Sequence, residues 1–218
     1  MRYKCLVLDH DDTVVQTEKT IGYPYFRDYI ERIRPGQTLS FPEYVKDCNN
    51  MVFADMCRER WQMTEEELTE EYLGWKAYSR VNVPEVCEGI GNVICRQKEA
   101  GGIVCVSSLS TREIIERDFL HHFGFLPDVI YDYDLPVHQR KPNTYALEQI
   151  MADYGLKPAE ILMVDDMKLG WAMANAIGAD TAFAGWSKTE FPELCAEMRE
   201  ICTCAFDSPE ELEKFLFD

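Results

Sequence analysis

The stretch Leu6-Val7-Leu8-Asp9-His10-Asp11-Asp12-Thr13-Val14 decides how this chain is read. An apolar β-type run stops abruptly in three carboxylates. Open α/β sheets place their chemistry here, at the carboxyl ends of strands. Clustered carboxylates repel one another, so a folded protein tolerates them only with a cation, shared protons or several amide donors. Asp clusters also build turns and helix N-caps, so the remaining sequence has to choose between the two uses.

Short apolar runs recur outward from this point, at Tyr3–Leu8 itself, then Ile103–Val106, Asp128–Tyr131, Ile161–Val164 and Thr181–Ala184. Helical periodicity fills the intervals between the later runs. That βαβα alternation predicts an α/β fold, a parallel sheet with helices on both faces. The boxes Ser110-Thr-Arg-Glu113 and Ser208-Pro-Glu-Glu211 mark helix starts. Residues 16–82 break the alternation and contain no convincing strand. They read as helices over about Glu18–Ile33, stopped by Pro35-Gly36, from the box Ser40-Phe-Pro-Glu43, and from Thr64-Glu-Glu-Glu67 to about Arg80. The expected organisation is a core of residues 1–15 and 83–218 with an all-helical cap, 16–82, inserted after the first strand.

Three more strand ends carry polar groups. Ile103-Val-Cys-Val-Ser107-Ser108 ends in hydroxyls, Arg140-Lys141-Pro142-Asn143 sets a lysine before a proline, and Ile161-Leu-Met-Val-Asp165-Asp166 ends in paired acids. Each alone has an ordinary reading: an N-cap, a surface lysine, a turn. Together they place Asp, Ser, Lys and Asp-Asp at successive strand ends, in order.

This ordered set resembles the haloacid dehalogenase superfamily, specifically its helical-cap phosphatases, the branch of phosphoglycolate phosphatase and β-phosphoglucomutase. The resemblance covers the chain outside the cap and includes Pro84-Glu-Val-Cys-Glu-Gly89 as the return from cap to core. It implies a Rossmann-like three-layer core. It also implies Asp9 as nucleophile and Asp11 as general acid and base, with Ser107, Ser108 and Lys141 holding the phosphate. Mg²⁺ would be bound by Asp9, the carbonyl of Asp11, Asp165 and Asp166. The carboxylate at Asp11 favours phosphoryl transfer over dehalogenation or phosphonate cleavage, whose branches lack an acid/base there. Lys19, Lys46 and Lys76 in the cap carry no signature of a Schiff-base lysine. The expected activity is Mg²⁺-dependent hydrolysis of a small phosphorylated metabolite. A phosphosugar mutase and a non-catalytic binding module are the rivals. His10 stands where the family usually has an apolar or aromatic residue, and it reads as a packed imidazole. His121, His122 and His138 read as structural or surface groups. Tyr23-Pro-Tyr25-Phe26-Arg27 is the cap segment to inspect for substrate contacts, against the plainer reading that its aromatics pack the cap itself.

Composition narrows the partners. The 218 residues are 46% hydrophobic and 28% charged, with a net charge of −17, an ordinary globular balance. At this length folding buries roughly 70% of the chain's surface without staples. Excess acid disfavours nucleic acid, whose affinity comes from Lys and Arg, and disfavours anionic membranes. The nine cysteines include no CxxC and read as thiols of a reducing cytoplasm. Cys202 and Cys204 read as a helix end and a short strand rather than half a metal site. The first apolar run is too short for a signal peptide or an anchor. Monomer and homodimer both accommodate this reading. Five clustered aspartates, Asp9, Asp11, Asp12, Asp165 and Asp166, face one recognised lysine, Lys141, which makes a cation there nearly obligatory.

Overall fold

Six strands, all parallel, form one sheet in the order β3-β2-β1-β4-β5-β6. They are β1 (Cys5–Leu8), β2 (Ile103–Ser107), β3 (Val129–Tyr131), β4 (Ile161–Asp165), β5 (Asp180–Ala184) and β6 (Cys204–Phe206). This computed structural model describes residues 1–218. The strands are near-continuous apolar runs because helices cover both faces, so nothing along β1 or β4 is solvated. β1 is central, with Leu8 level with Val106 of β2 and Val164 of β4. The crevice where the strand order reverses opens at the carboxyl end of β1, the usual ligand position in such sheets.

Alternation along each strand sorts side chains into two layers. Leu6, Leu8, Val104, Val106, Leu162 and Val164 face α5 (Ile90–Glu99), α6 (Arg112–Phe123) and α10 (Pro209–Phe217). Cys5, Val7, Cys105, Ile161 and Met163 face α7 (Tyr145–Tyr154) and α8 (Lys168–Asn175). Each fully buried Leu, Ile or Val in these layers is worth about 1.5–3 kcal/mol. α9 (Pro192–Ile201) precedes β6, so Cys202 follows a helix end and Cys204 opens a three-residue strand. All nine cysteines are free thiols. No helix is long and apolar enough to cross a membrane.

Sheet and flanking helices make one compact unit, Met1–Gln16 with Val86–Asp218; Thr17–Glu85 make the other. The second is wholly helical: a π-helical stretch Glu18–Gly22, then α1 (Tyr23–Ile33), α2 (Phe41–Asn50), α3 (Phe53–Trp61) and α4 (Glu65–Val81). The boxes at Ser40 and Thr64 close as their sequence implies. α3 lacks any such box, its N-cap being Val52, which is why it left no clear start in the sequence. Phe26 is the hub of this unit, 5.4 Å from Tyr44, 5.1 Å from Phe53 and 5.2 Å from Trp61 between ring centres. The hydroxyl of Tyr23 donates to the Leu39 carbonyl, and Arg27 pairs with Asp28 in solvent. Much of the aromatic segment therefore serves the unit's own core.

The box expected at Ser110 does not form. α6 starts one residue later, with Thr111 as its N-cap. The Ser110 amide is already taken by Ser108 Oγ, and its carbonyl by the Tyr133 amide. At the other expected start, Ser208 caps α10 by accepting from the Glu211 amide, while the Glu211 carboxylate accepts from the Asp207 amide.

Candidate active site

Asp9 is the first residue beyond β1, and its amide still donates to the Val164 carbonyl, 2.9 Å away. The strand register therefore sets Asp9 level with Ser107 and Asp165, in phase with Cys5 and Val7 and so on the α7–α8 layer. Ala146, Leu147 and Ile150 anchor α7 on that layer, and the loop before it carries Lys141. The Lys141–Pro142 peptide is cis. Lys141 Nζ donates to Asp9 Oδ1 at 2.7 Å and to Asp165 Oδ2 at 2.6 Å. All three side chains are nearly inaccessible.

Asp165 is fixed from two more directions. Its Oδ1 accepts the Met167 amide at 2.8 Å, where α8 begins. On the first turn of α8, Gly170 leaves the room the carboxylate needs: a Cβ there would fall 2.0 Å from Asp165 Oδ2. Asp166 belongs to a second buried pairing. Lys188 Nζ lies 2.5 Å from Asp12 Oδ2 and 2.9 Å from Asp166 Oδ2. Asp12 adopts a left-handed backbone, φ 57°, which Asp tolerates better than most residues. That turn, closed by the Asp12 amide on the Val15 carbonyl, aims its carboxylate at Lys188.

Lys188 corrects the charge count made from sequence. Asp9, Asp12, Asp165 and Asp166 face two buried ammoniums, Lys141 and Lys188, which leaves two carboxylate charges over. Oxygens of Asp9, Asp165 and Asp166 lie within 4.8 Å of one another. An all-oxygen donor set with this surplus fits one hard divalent cation. Burial raises the carboxyls of Asp9, Asp165 and Asp166 above the ordinary carboxylate range, and their carboxylate neighbours add to this. Lys141 and Lys188 pull them back down, and both lysines are held above the usual ammonium range by those same aspartates, despite burial.

The remaining sequence candidates are placed less centrally. Ser107, 1% exposed, ends β2 level with Asp9 and directs its hydroxyl at Met173 Sδ, 3.9 Å away. The Ser108 oxygen accepts the Ser110 amide at 3.0 Å, so it shapes the loop. Asp11 is partly exposed, and its Oδ1 is 3.3 Å from Nδ1 of the fully buried His10. His121 and His122 sit on α6, edge to face with each other. Asp9, Lys141, Asp165 and Asp166 are thus brought together. Gly170 and Lys188 were missed: a lone glycine and a lone lysine carry no pattern, although Lys188 does follow a strand end, as the recognised groups do.

The chain resembles several solved structures across nearly its whole length. A haloacid dehalogenase-like protein of unknown function from Agrobacterium tumefaciens superposes with a TM-score of 0.79 at 15% identity, covering 98% of this chain and 97% of its own. A predicted phosphoglycolate phosphatase from Haemophilus somnus gives 0.75 at 15% identity, with 99% and 98% covered. An asparagine variant of CbbY from Rhodobacter sphaeroides, bound to xylulose-1,5-bisphosphate, gives 0.74 at 16% identity, with 96% of each chain covered. At such identities the likeness establishes the fold. No curated protein sequence matches the chain. The family model for haloacid dehalogenase-like hydrolases matches residues 3–178, from the strand before Asp9 to beyond Asp165 and Asp166, and the chain belongs to that family.

Proposed function

We propose that this hydrolase is a Mg²⁺-dependent phosphatase of a small phosphorylated metabolite, working through an aspartyl-phosphate on Asp9. The contact of one buried ammonium, Lys141, with both Asp9 and Asp165 carries the reading. It supports the reading because a carboxylate, a buried ammonium and a carboxylate cluster meet at one strand-end crevice, the groups that a nucleophile, a phosphoryl-oxygen holder and a metal site would require. The CbbY relative, bound to a sugar bisphosphate, supports a substrate of that size.

In the first half-reaction an Asp9 oxygen attacks phosphorus while Asp11 gives its proton to the departing ester oxygen. The Asp9 O–P bond forms as the ester O–P bond breaks. In the second, Asp11 takes a proton from water as the water oxygen attacks phosphorus, and Asp9 leaves as a free carboxylate. Such acid–base help is worth about 10²–10⁴-fold. Lys141 transfers part of its bonding from Asp9 to the phosphoryl oxygens and acts as a fixed charge. Ser107 offers its hydroxyl from the level of Asp9, and Ser108 holds the loop beside it. Asp9, Asp165, Asp166 and the Asp11 carbonyl would hold Mg²⁺, which supplies charge neutralisation where an anion must attack an anion. Free thiols throughout suit a cytoplasmic setting.

A panel of phosphate monoesters, assayed with Mg²⁺ and with chelator, tests this. Turnover should need Mg²⁺ and vanish in Asp9→Asn while the fold persists. Turnover that survives in Asp9→Asn without Mg²⁺ refutes the mechanism. Isomerisation of β-glucose 1-phosphate without release of phosphate would replace the phosphatase by the mutase.

A further inference from the structure

His10 has no part in the mechanism above, yet the chain buries a polar ring completely on an apolar face. Alternation explains where it points. Asp9 follows the α7–α8 layer, so His10 turns to the opposite layer, where α6 packs through Ile115 and Phe119. Between those two residues on α6 stands Asp118, itself 0% exposed. Its Oδ2 is 3.3 Å from His10 Nε2, and its Oδ1 is held by the Arg117 guanidinium at 2.6 Å. On the other edge of the ring, Nδ1 is 3.3 Å from Asp11 Oδ1. One imidazole thus spans two carboxylates, Asp118 in the core and Asp11 at the crevice.

Stability does not account for this arrangement. A buried ion pair with loose geometry costs desolvation that its attraction barely repays, and apolar residues of similar volume often do as well or better. The 3.3 Å contacts are loose, whereas Lys141 and Lys188 make contacts of 2.5–2.9 Å nearby. What the span does supply is orientation. The ring is fully buried against α6, and its Nδ1 meets one oxygen of Asp11, a contact that bears on how that carboxyl is turned.

We propose that His10, braced by Asp118, is a positioning residue that aims the Asp11 carboxyl at the leaving-group oxygen. This rests on Asp11 being the general acid. The geometry alone carries the positioning role: the fully buried ring presents Nδ1 to Asp11 and Nε2 to Asp118, each at 3.3 Å.

The test compares kcat/KM for two leaving groups, because that ratio reports the step in which Asp11 must protonate. The substrates are p-nitrophenyl phosphate, whose leaving group needs little protonation, and glycerol 2-phosphate, whose alkoxide needs a proton. His10→Leu should lower kcat/KM about 10–100-fold for glycerol 2-phosphate, the usual penalty for losing an orienting partner. For p-nitrophenyl phosphate it should stay within about threefold of the parent, since general acid help matters little there. Asp118→Asn, nearly isosteric, should show the same selective loss at smaller size, and it decides the matter if His10→Leu does not fold. Introduced into Asp11→Asn, His10→Leu should cost nothing further, since the two act as one unit. Equal losses for both substrates, or full additivity with Asp11→Asn, overturn the proposal. If Asp11→Asn itself leaves glycerol 2-phosphate turnover intact, the reading of Asp11 fails instead, and the inference falls with it.

Discussion

Replacing Lys188 by Met tests whether the carboxylate crevice is balanced by buried lysines. Lys188 is 1% exposed and contacts Asp12 at 2.5 Å and Asp166 at 2.9 Å. Met keeps the aliphatic volume and deletes the charge, so two inaccessible carboxylates lose their shared cation. Removing one partner from a buried pair costs about 3–5 kcal/mol. In a chain of this length 1 kcal/mol moves Tm by about 2–4 °C, so the expected fall is roughly 6–20 °C when chelator is present. The variant's crevice is one charge more negative and should bind Mg²⁺ more tightly. Binding to the folded state alone stabilises by about 2.7 kcal/mol at a hundred times Kd, so added Mg²⁺ should restore much of the loss. Thermal melts of parent and variant in chelator and across a Mg²⁺ titration provide the assay. Equal Tm values in chelator would refute the charge count, as would a Mg²⁺-induced shift no larger in the variant than in the parent.

Two further outcomes follow from the described contacts. Glu71 on α4 is buried, and burial raises its carboxyl from 4.5 to about 8. The folded state therefore holds a proton that the unfolded state releases, and stability falls by about 1.4 kcal/mol per pH unit between those values. Glu71→Gln should remove that slope and gain about 3 kcal/mol on the parent by pH 7; urea midpoints at pH 5 and pH 8 check this, and parallel pH dependence in both proteins contradicts it. Gly170→Ala should leave α8 folded but push the Asp165 carboxylate off Lys141, since the added Cβ would lie 2.0 Å from Oδ2. Displacing a catalytic group by about 1 Å can cost around 100-fold, so phosphatase turnover should fall by that order while far-ultraviolet circular dichroism stays unchanged.

The strands were legible because burial on both faces leaves unbroken apolar runs, and the acids at the ends of β1 and β4 stood out against them. β6 was faint because it spans only Cys204–Phe206. α3 was hidden because Val52 offers no capping side chain. The start of α6 slipped by one residue because Ser110 looks like a cap in sequence but spends its amide on Ser108 Oγ and its carbonyl on Tyr133. In the candidate site, Asp9, Lys141, Asp165 and Asp166 could be picked out from their order along the chain. Lys188 could not, since its partner Asp12 lies on a left-handed turn 176 positions away. His10 was seen as packed, but the identity of Asp118 across the layer is a tertiary fact.

The one-residue step from Asp9 to His10 has an evolutionary consequence. Because consecutive side chains leave β1 on opposite sides, the proposed phosphoryl capture leans on the helices of one layer and the proposed proton delivery on a helix of the other. Substitutions in α7 or α8 can retune how the phosphate is gripped while the proton path stays as it was, and changes in α6 can do the reverse. On the proposed mechanism, selection on this scaffold thus has two separately adjustable dials for a single reaction.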